Sequence, residues 1–384
     1  MTLSPGGQNP LIKQIIEEFC PRFAPGATIV FWPTPVGGWL EAISPEGTTL
    51  WKSGELSAVL AVANAAQAGV GVNTPLDGAA GLDDVVITAD AQSVLIGRRS
   101  GGVLCFDVAS GATRFSVARA LSRIYDVALA EDGRAVVSGA AITRDEGQER
   151  LVAALVCLAA DGTIAAQLGP DQLGDHARWV VPIRGESDVL VGTASGVLRL
   201  DPATGTVRWK TEGAKVQGSI GATVVGSGGG GGVAFVLESS SMQLWRVDLR
   251  TGDVDDEPGD TRQRLTLPVN LMPVGGALAI TTSLGLIVID ESGQTVGADG
   301  IDAAGRIEPP VLAEGLAIAV EASGRETQAG ESSSKLYFIE LPSGRLQSVA
   351  NVMLMDAPRL PMVIEGKILI SQGPVTLVFD APAK

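Results

Sequence analysis

One short pattern recurs along the chain and limits its fold more than any other feature. An alternating apolar run ends in an acid, and a glycine follows three or four residues later. It stands at 102–115 (GVLCFDVASGATRF), 196–209 (GVLRLDPATGTVRW), 242–256 (MQLWRVDLRTGDVDD), 285–296 (GLIVIDESGQTV) and 335–348 (KLYFIELPSGRLQS). The acids are Asp107, Asp201, Asp248, Asp290 and Glu340, and the residues one and three before each are apolar. Period-two alternation marks a strand with one face buried. A hairpin turn often needs positive φ, which glycine adopts without a Cβ clash, and an acid at the turn's start can bond the turn backbone. Weaker copies stand at 39–51 (WLEAISPEGTTLW) and 155–164 (LVCLAADGTI).

The turn glycines are then Gly47, Gly111, Gly162, Gly205, Gly252, Gly293 and Gly344. Their mean period of about 50 residues suits a repeat of four short strands. Upstream of most units lie two more strand-like runs, such as Trp179–Ile183 followed by Asp188–Thr193. This predicts an all-β fold, a β-propeller of four-stranded blades, each blade covered only by its neighbours. Six units fit between Asp84 and Val349, and the C-terminus supplies three further strands. If the stretch beginning at Thr48 supplies the fourth, the ring has seven blades, the preferred count; if 28–51 form a blade, it has eight. The expected division is an N-terminal segment, 1–83, and a propeller, 84–384.

The pattern G-(V/L)-L-x-(L/F)-D-x-x-(S/T)-G-x-x-x-(W/F) resembles the repeat of quinoprotein-like (PQQ-like) β-propellers, with generic WD40-like propellers next. Residues 196–209 are the best copy. The resemblance implies that the aromatic four residues after the turn glycine docks neighbouring blades. It is present as Trp51, Phe115 and Trp209 and replaced by Ala166, Asp256, Gly297 and Ser348. A working quinoprotein dehydrogenase of this kind would imply adjacent cysteines, metal-binding acids and export. Cys20, Cys105 and Cys157 are far apart, and no calcium set is evident, so the expectation is no cofactor.

Residues 1–83 depart from the repeat. Asn9-Pro10 is a helix start, and Leu11, Ile12, Ile15, Ile16 and Phe19 fall on one helical stripe before Pro21. That stripe either caps the ring or docks a partner, which makes Ile12, Ile16 and Phe19 the candidate partner-binding residues. An alanine-rich second helix is expected over 57–67. Residues 15–31 also resemble the opening of PstI-like restriction endonucleases, but no acidic-plus-lysine core follows.

Other chemistry is sparse. The single histidine, His176, lies in Asp-His-Ala-Arg with no nucleophile elbow, and reads as a loop or strand-edge residue. One histidine and three scattered cysteines do not make a zinc site. A literal G-x-G-x-x-G at 226–231 precedes a strand-like run, not the helix a dinucleotide site needs, so it reads as a loop. The acid-rich 253–260 lacks EF-hand spacing. The net charge of −15, from 28 basic and 43 acidic residues, argues against a nucleic-acid partner. No apolar run is long enough to span a membrane.

Reduced thiols and an N-terminus without a secretory pattern give the expectation of a cytoplasmic protein. Twenty-one arginines against seven lysines suggest a bacterial source. The expected function is a non-enzymatic scaffold for protein–protein interaction, by analogy a subunit of a larger ATPase-linked or defence system. Inserted polar loops at 144–150 and 324–335 are candidate recognition segments. The alternative is a quinoprotein-like oxidoreductase or small-molecule binder using the central funnel, with Arg184 and Glu314 as the polar exceptions on its inner strands. An outer-membrane-assembly type of scaffold is a third, less favoured reading.

Overall fold

The computed structural model describes residues 92–211 apart from 146–147. Outside that stretch it describes mainly the strands between 22 and 380 with some of their turns. The described strands fall into eight antiparallel sheets that follow chain order. The first holds β1 (Arg22–Ala24), β2 (Ala27–Trp32), β3 (Trp39–Ile43) and β4 (Thr49–Lys52); the second holds β5 (Val85–Ala89), β6 (Ser93–Arg98), β7 (Val103–Asp107) and β8 (Thr113–Val117). The third runs through β9 (Arg123–Leu129), β10 (Ala135–Asp145), β11 (Gln148–Leu158) and β12 (Ile164–Leu168). A one-turn helix, α1 (Pro170–Leu173), leads into the fourth sheet: β13 (Ala177–Pro182), β14 (Val189–Thr193), β15 (Gly196–Asp201) and β16 (Thr206–Lys210).

The fifth sheet has β17 (Ser219–Val225), β18 (Val233–Glu238) and β19 (Leu244–Asp248); the sixth has β20 (Pro268–Val274), β21 (Ala277–Thr282), β22 (Gly285–Asp290) and β23 (Thr295–Gly297). In the seventh, β24 (Arg306–Ile307) and β25 (Val311–Ala313) share the edge of β26 (Leu316–Ala322), followed by β27 (Ser332–Glu340) and β28 (Leu346–Leu354). The eighth has β29 (Met362–Ile364), β30 (Lys367–Gln372) and β31 (Val375–Asp380). The strand beginning near Thr48 does not complete that last sheet. β4 pairs with β3 inside a four-stranded sheet of its own, as in the eight-blade alternative. The two helices expected over 9–20 and 57–67 lie outside the described residues. Among those described, no helix is long and apolar enough to cross a membrane.

The repeat's alternation works as expected, but the core it builds is divided into slabs between adjacent sheets. One slab joins Leu95, Cys105 and Phe115 of the second sheet to Ile124, Val127 and Val156 of the third. Across the third sheet the opposite set, Ala128, Leu155 and Cys157, meets Val180, Val189 and Leu198 of the fourth. Further slabs join the fourth to the fifth and the fifth to the sixth. The second strand of a sheet is covered on both sides, so β6, β14 and β18 are buried throughout, with polar residues (Ser93, Arg98, Thr193, Glu238) only at their ends. Cys105 and Cys157 are buried in different slabs, and burial pushes the Cys157 thiol up to about 12.

Each outer hairpin follows the sequence pattern. Gly111, Gly162, Gly205, Gly252 and Gly293 all have positive φ, between 68° and 85°; Gly47 and Gly344 lie outside the described residues. The acid accepts from the turn: Asp107 Oδ1 takes the Ser110 amide at 2.8 Å and its hydroxyl at 2.7 Å. Asp290 Oδ1 likewise takes the amides of Ser292 and Gln294. The expected docking is also present. Trp51 donates its indole N–H to Val108 O at 2.6 Å and covers Gly111, and Trp209 donates to Leu249 O at 2.8 Å and covers Gly252. Phe115 covers Gly162 in the same manner, and where the aromatic is lost Ala166 covers Gly205.

These turns give the fold an acid limit. Hydrogen bonds from the Ser110 hydroxyl and amide hold Asp107 below the usual carboxylate range; the Thr163 hydroxyl does the same for Asp161, and that of Ser292 for Asp290. At Asp248 burial raises the value, but the Thr251 and Arg250 amides outweigh it and the net shift is downward. A depressed folded value stabilises the fold above the unfolded carboxyl value of about 3.9 and loses that contribution as pH falls through it. Denaturant midpoints should therefore be flat from neutrality to about pH 5 and fall below pH 4. Asp107→Asn and Asp290→Asn together should flatten that fall; an unchanged acid limb would show that other groups set it.

Candidate interaction site at the funnel mouth

The strand nearest the ring axis carries the same irregularity in four consecutive sheets. Pairing of β9 with β10 skips Tyr125; pairing of β13 with β14 skips Arg178; β17 skips Ile220 and β20 skips Val269. Each is a β-bulge near the start of an inner strand, where one extra residue is freed from the ladder. Successive inner strands lie beside one another, β9 against β13 and β13 against β17. The bulged residues therefore gather at one end of the ring, the funnel mouth.

Between the third and fourth sheets that mouth is polar. The Tyr125 ring meets the His176 ring edge-on, with centroids 6.1 Å apart, and the Arg123 guanidinium lies 5.7 Å from the Tyr125 ring. Arg178 is exposed and has no carboxylate partner among the described residues. Asp126 is occupied: its Oδ2 accepts the Val180 amide of the next sheet at 2.8 Å, and its Oδ1 accepts the Val127 amide at 2.9 Å. His176 sits just before β13, as the sequence suggested. Its amide donates to Asp175 Oδ1, and its ring Nδ1 is buried without a hydrogen-bond partner among the described residues.

Beside this mouth the middle hairpin of the third sheet rises as an arm. β10 and β11 are eleven residues each and stay in register from Ala135↔Leu158 to Asp145↔Gln148. The run 144–150, read from the sequence as an inserted polar loop, is strand at 144–145 and 148–150. Arg144 opposes Glu149 across the pair and binds its carboxylate at 3.0 Å, so opposite charges hold the strands together. Below them Ile142 opposes Leu151, and these apolar side chains remain 44% and 48% exposed.

A second polar cluster lies between the fourth and fifth sheets, at the opposite end of the strands. A cleft of about 520 Å³ is lined by Glu186, Asp188, Arg199, Arg208, Trp209 and Arg250. Arg199 donates to Asp188 at 2.7 Å, to Leu249 O at 2.8 Å and to the Glu186 carboxylate, while Arg208 binds Asp201 at 2.8 Å. The repeat recurs one sheet on, where Arg246 donates to Glu291 O at 2.7 Å. Both arginines stand two residues before the turn acid and bind the carbonyl one residue after the acid of the next sheet. This cluster is an inter-sheet latch.

Ile12, Ile16 and Phe19 lie outside the described residues, as do Glu314, 226–231 and 324–331. Arg184 is exposed in the turn after β13, away from the mouth. Of the acidic run, Asp255 pairs with Arg246 at 3.1 Å, and 256–260 lie outside the described residues. The residues described at the mouth do not suit a calcium-bound quinone. Their one carboxylate on an inner strand, Asp126, is taken by backbone amides, and no group of three potential metal ligands occurs among the described residues. Sequence reading missed the bulges at Tyr125 and Arg178, because a register skip leaves no mark on hydrophobic alternation.

No protein-family model matches the chain, and no curated protein matches it in sequence. Solved structures do match in shape. The crystal structure of BamB from Moraxella catarrhalis is 17% identical, covering 94% of this chain and 96% of that one, with a TM-score of 0.55. The computationally designed Ika8 protein is 12% identical over 94% and 95%, with a TM-score of 0.60. Quinohemoprotein alcohol dehydrogenase from Comamonas testosteroni is 10% identical over 91% and 69%, with a TM-score of 0.53. At such identities the likeness shows the fold: a quinoprotein-like β-propeller.

Proposed function

We propose that this propeller is a non-enzymatic scaffold that binds other proteins at the funnel-mouth end, in the bacterial cytoplasm, as a subunit of a larger assembly. The observation that carries the reading is the arm. A strand pair that runs beyond the four-stranded part of its sheet and leaves Ile142 and Leu151 exposed offers a partner an apolar anchor. The flanking cations Arg123 and Arg178 and the ring of Tyr125 give that end polar contacts of the kind found at interface rims. The stripe Ile12, Ile16 and Phe19 is a second docking element in this proposal.

The test is cross-linked capture from the native host with the full-length chain, alongside Ile142→Asp/Leu151→Asp and Ile12→Asp/Ile16→Asp/Phe19→Asp variants. A stoichiometric protein lost with the arm variant, the stripe variant or both is the expected result. Tight binding of the quinone with calcium, followed by dye reduction with an alcohol or sugar, would overturn it. One observation favours a small-molecule reading instead: the unpartnered, buried Nδ1 of His176 beside Tyr125. Thermal shifts across a panel of small carboxylates and sugars, repeated with His176→Phe, would test that alternative.

A further inference from the structure

Charge in sheets two to four is sorted by end. In these antiparallel meanders the turn between the second and third strands and the link to the next sheet lie at the funnel mouth. The other two hairpin turns lie at the far end, and that end holds the acids. Asp107, Asp161 and Asp201 stand there in the outer turns, with Glu131, Glu186 and Asp188 in the inner ones.

The mouth end gathers arginines instead. Backbone bonds tie the 98–102 turn to the link into β9, from the Ala120 amide to Gly101 O at 2.8 Å and from the Ile124 amide to Arg99 O at 3.2 Å. The Arg119 stem packs beside Gly101 in this tie, and Arg123 opens β9. Arg178 lies near the start of β13. All three are exposed, and none has a carboxylate partner among the described residues. The acids described at this end are mostly engaged. Asp126 accepts the amides of Val127 and Val180, Glu149 binds Arg144, and Asp175 accepts the His176 amide, which leaves Asp171 of α1.

Inner strands of seven and six residues, β9 and β13, separate the two ends. That is roughly 20 Å, well beyond the screening length of about 8 Å at physiological salt. The acids of the far end therefore do not set the field at the mouth. Register adds an apolar element to the same surface. Arg123 opposes Ala140, Ala140 opposes Ala153, and Ile142 opposes Leu151, so all five share the face of the third sheet that is turned to the fourth. Ile142 stands diagonal to Arg123, a separation of about 7 Å.

We propose that the mouth end of sheets two to four binds an acidic segment of a partner protein, with carboxylates on Arg119, Arg123 and Arg178 and an apolar side chain on Ile142 and Leu151. The inference rests on the scaffold reading and names the partner's chemistry. An acid two residues from an apolar residue in an extended chain spans the same distance, about 7 Å. Charge complementarity selects this occupant over a second copy of the chain. Acids at the far end of such a copy already accept from within it: Asp107 from Ser110, Asp161 from Thr163 and Asp188 from Arg199. A nucleic-acid backbone offers phosphates to the arginines but no aliphatic side chain to Ile142 and Leu151.

The probes are alternating leucine–glutamate, alternating leucine–lysine and all-glutamate heptapeptides, each titrated into the full-length protein. Saturable binding of the first is expected, weakening as salt rises from about 50 to 300 mM. The other two should bind far more weakly. Replacing Arg119, Arg123 and Arg178 together by glutamine should weaken binding about tenfold, while replacement by lysine keeps most of it. Ile142→Ser/Leu151→Ser should also cost about tenfold, and it serves independently if the glutamine variant misfolds. Equal binding of the leucine–lysine peptide, or full affinity in both the glutamine and the serine variants, would overturn the proposal. So would tighter, arginine-dependent binding of a single-stranded thymidine oligomer, or self-association that the glutamine variant abolishes. A host protein captured equally by the glutamine variant but lost with Ile142→Asp/Leu151→Asp would remove the acidic-segment inference and leave the scaffold reading intact.

Discussion

Alanine at position 111 should lower stability by about 3 kcal/mol, three times the loss from alanine at position 185. Both glycines have positive φ, 68° and 78°, so both substitutions carry left-handed strain of about 1–2 kcal/mol. What differs is the space. A Cβ on Gly185 would meet nothing within 4 Å, whereas one on Gly111 would lie 2.5 Å from Cδ2 of Trp51. That indole cannot step aside easily, being 9% exposed and held by its bond to Val108 O. Forcing a methyl into so filled a contact adds a further 1–3 kcal/mol or so. Denaturant midpoints of Gly111→Ala and Gly185→Ala measure the difference directly. Equal losses would show that the first two sheets are not locked by this contact. Gly252→Ala should behave like the former, since its Cβ would come within 2.7 Å of the Trp209 ring.

The second large effect is expected at Asp188. Its side chain is 8% exposed and accepts from Arg199, itself only 15% exposed, while Arg208 approaches at 3.6 Å. Removing one partner of a buried pair leaves the other desolvated and unpaired, at a cost of about 3–5 kcal/mol. Because Glu186 still meets Arg199, Asp188→Ala should fall near the lower end of that range, about 3 kcal/mol. Asp188→Leu combined with Arg199→Met should recover much of the loss, since apolar replacement of a whole buried pair is often neutral. A double-mutant cycle on denaturant midpoints checks both statements. Additive single losses, with no recovery in the pair, would mean that the latch contributes through packing alone.

Much of the architecture was legible in advance because one hairpin is written repeatedly in the same letters. Asp201 and Gly205 announce a turn that needs an acceptor and a positive φ, and Leu198 and Leu200 announce the buried face before it. The docking of Trp51 and Trp209 was legible only through family resemblance, since no spacing in one blade says what the next presents. Three features were hidden for physical reasons. The run at 144–150 is charged, and composition cannot tell that Arg144 and Glu149 oppose one another until the register of β10 and β11 is known. The bulges leave alternation intact on either side. The bond from Arg199 to Leu249 O joins residues 50 apart, a distance set by the repeat and invisible within one copy. The first sheet was visible as a weak repeat at 39–51, but its pairing could be assigned to either end of the chain.

The bulges also bear on how such a ring changes over generations. A residue skipped by the ladder can be exchanged without moving the frame of its strand, so Tyr125 and Arg178 are positions where chemistry is uncoupled from foldability. Selection can rewrite the rim one letter at a time, from aromatic at Tyr125 to cationic at Arg178, while the slabs beneath hold the same shape.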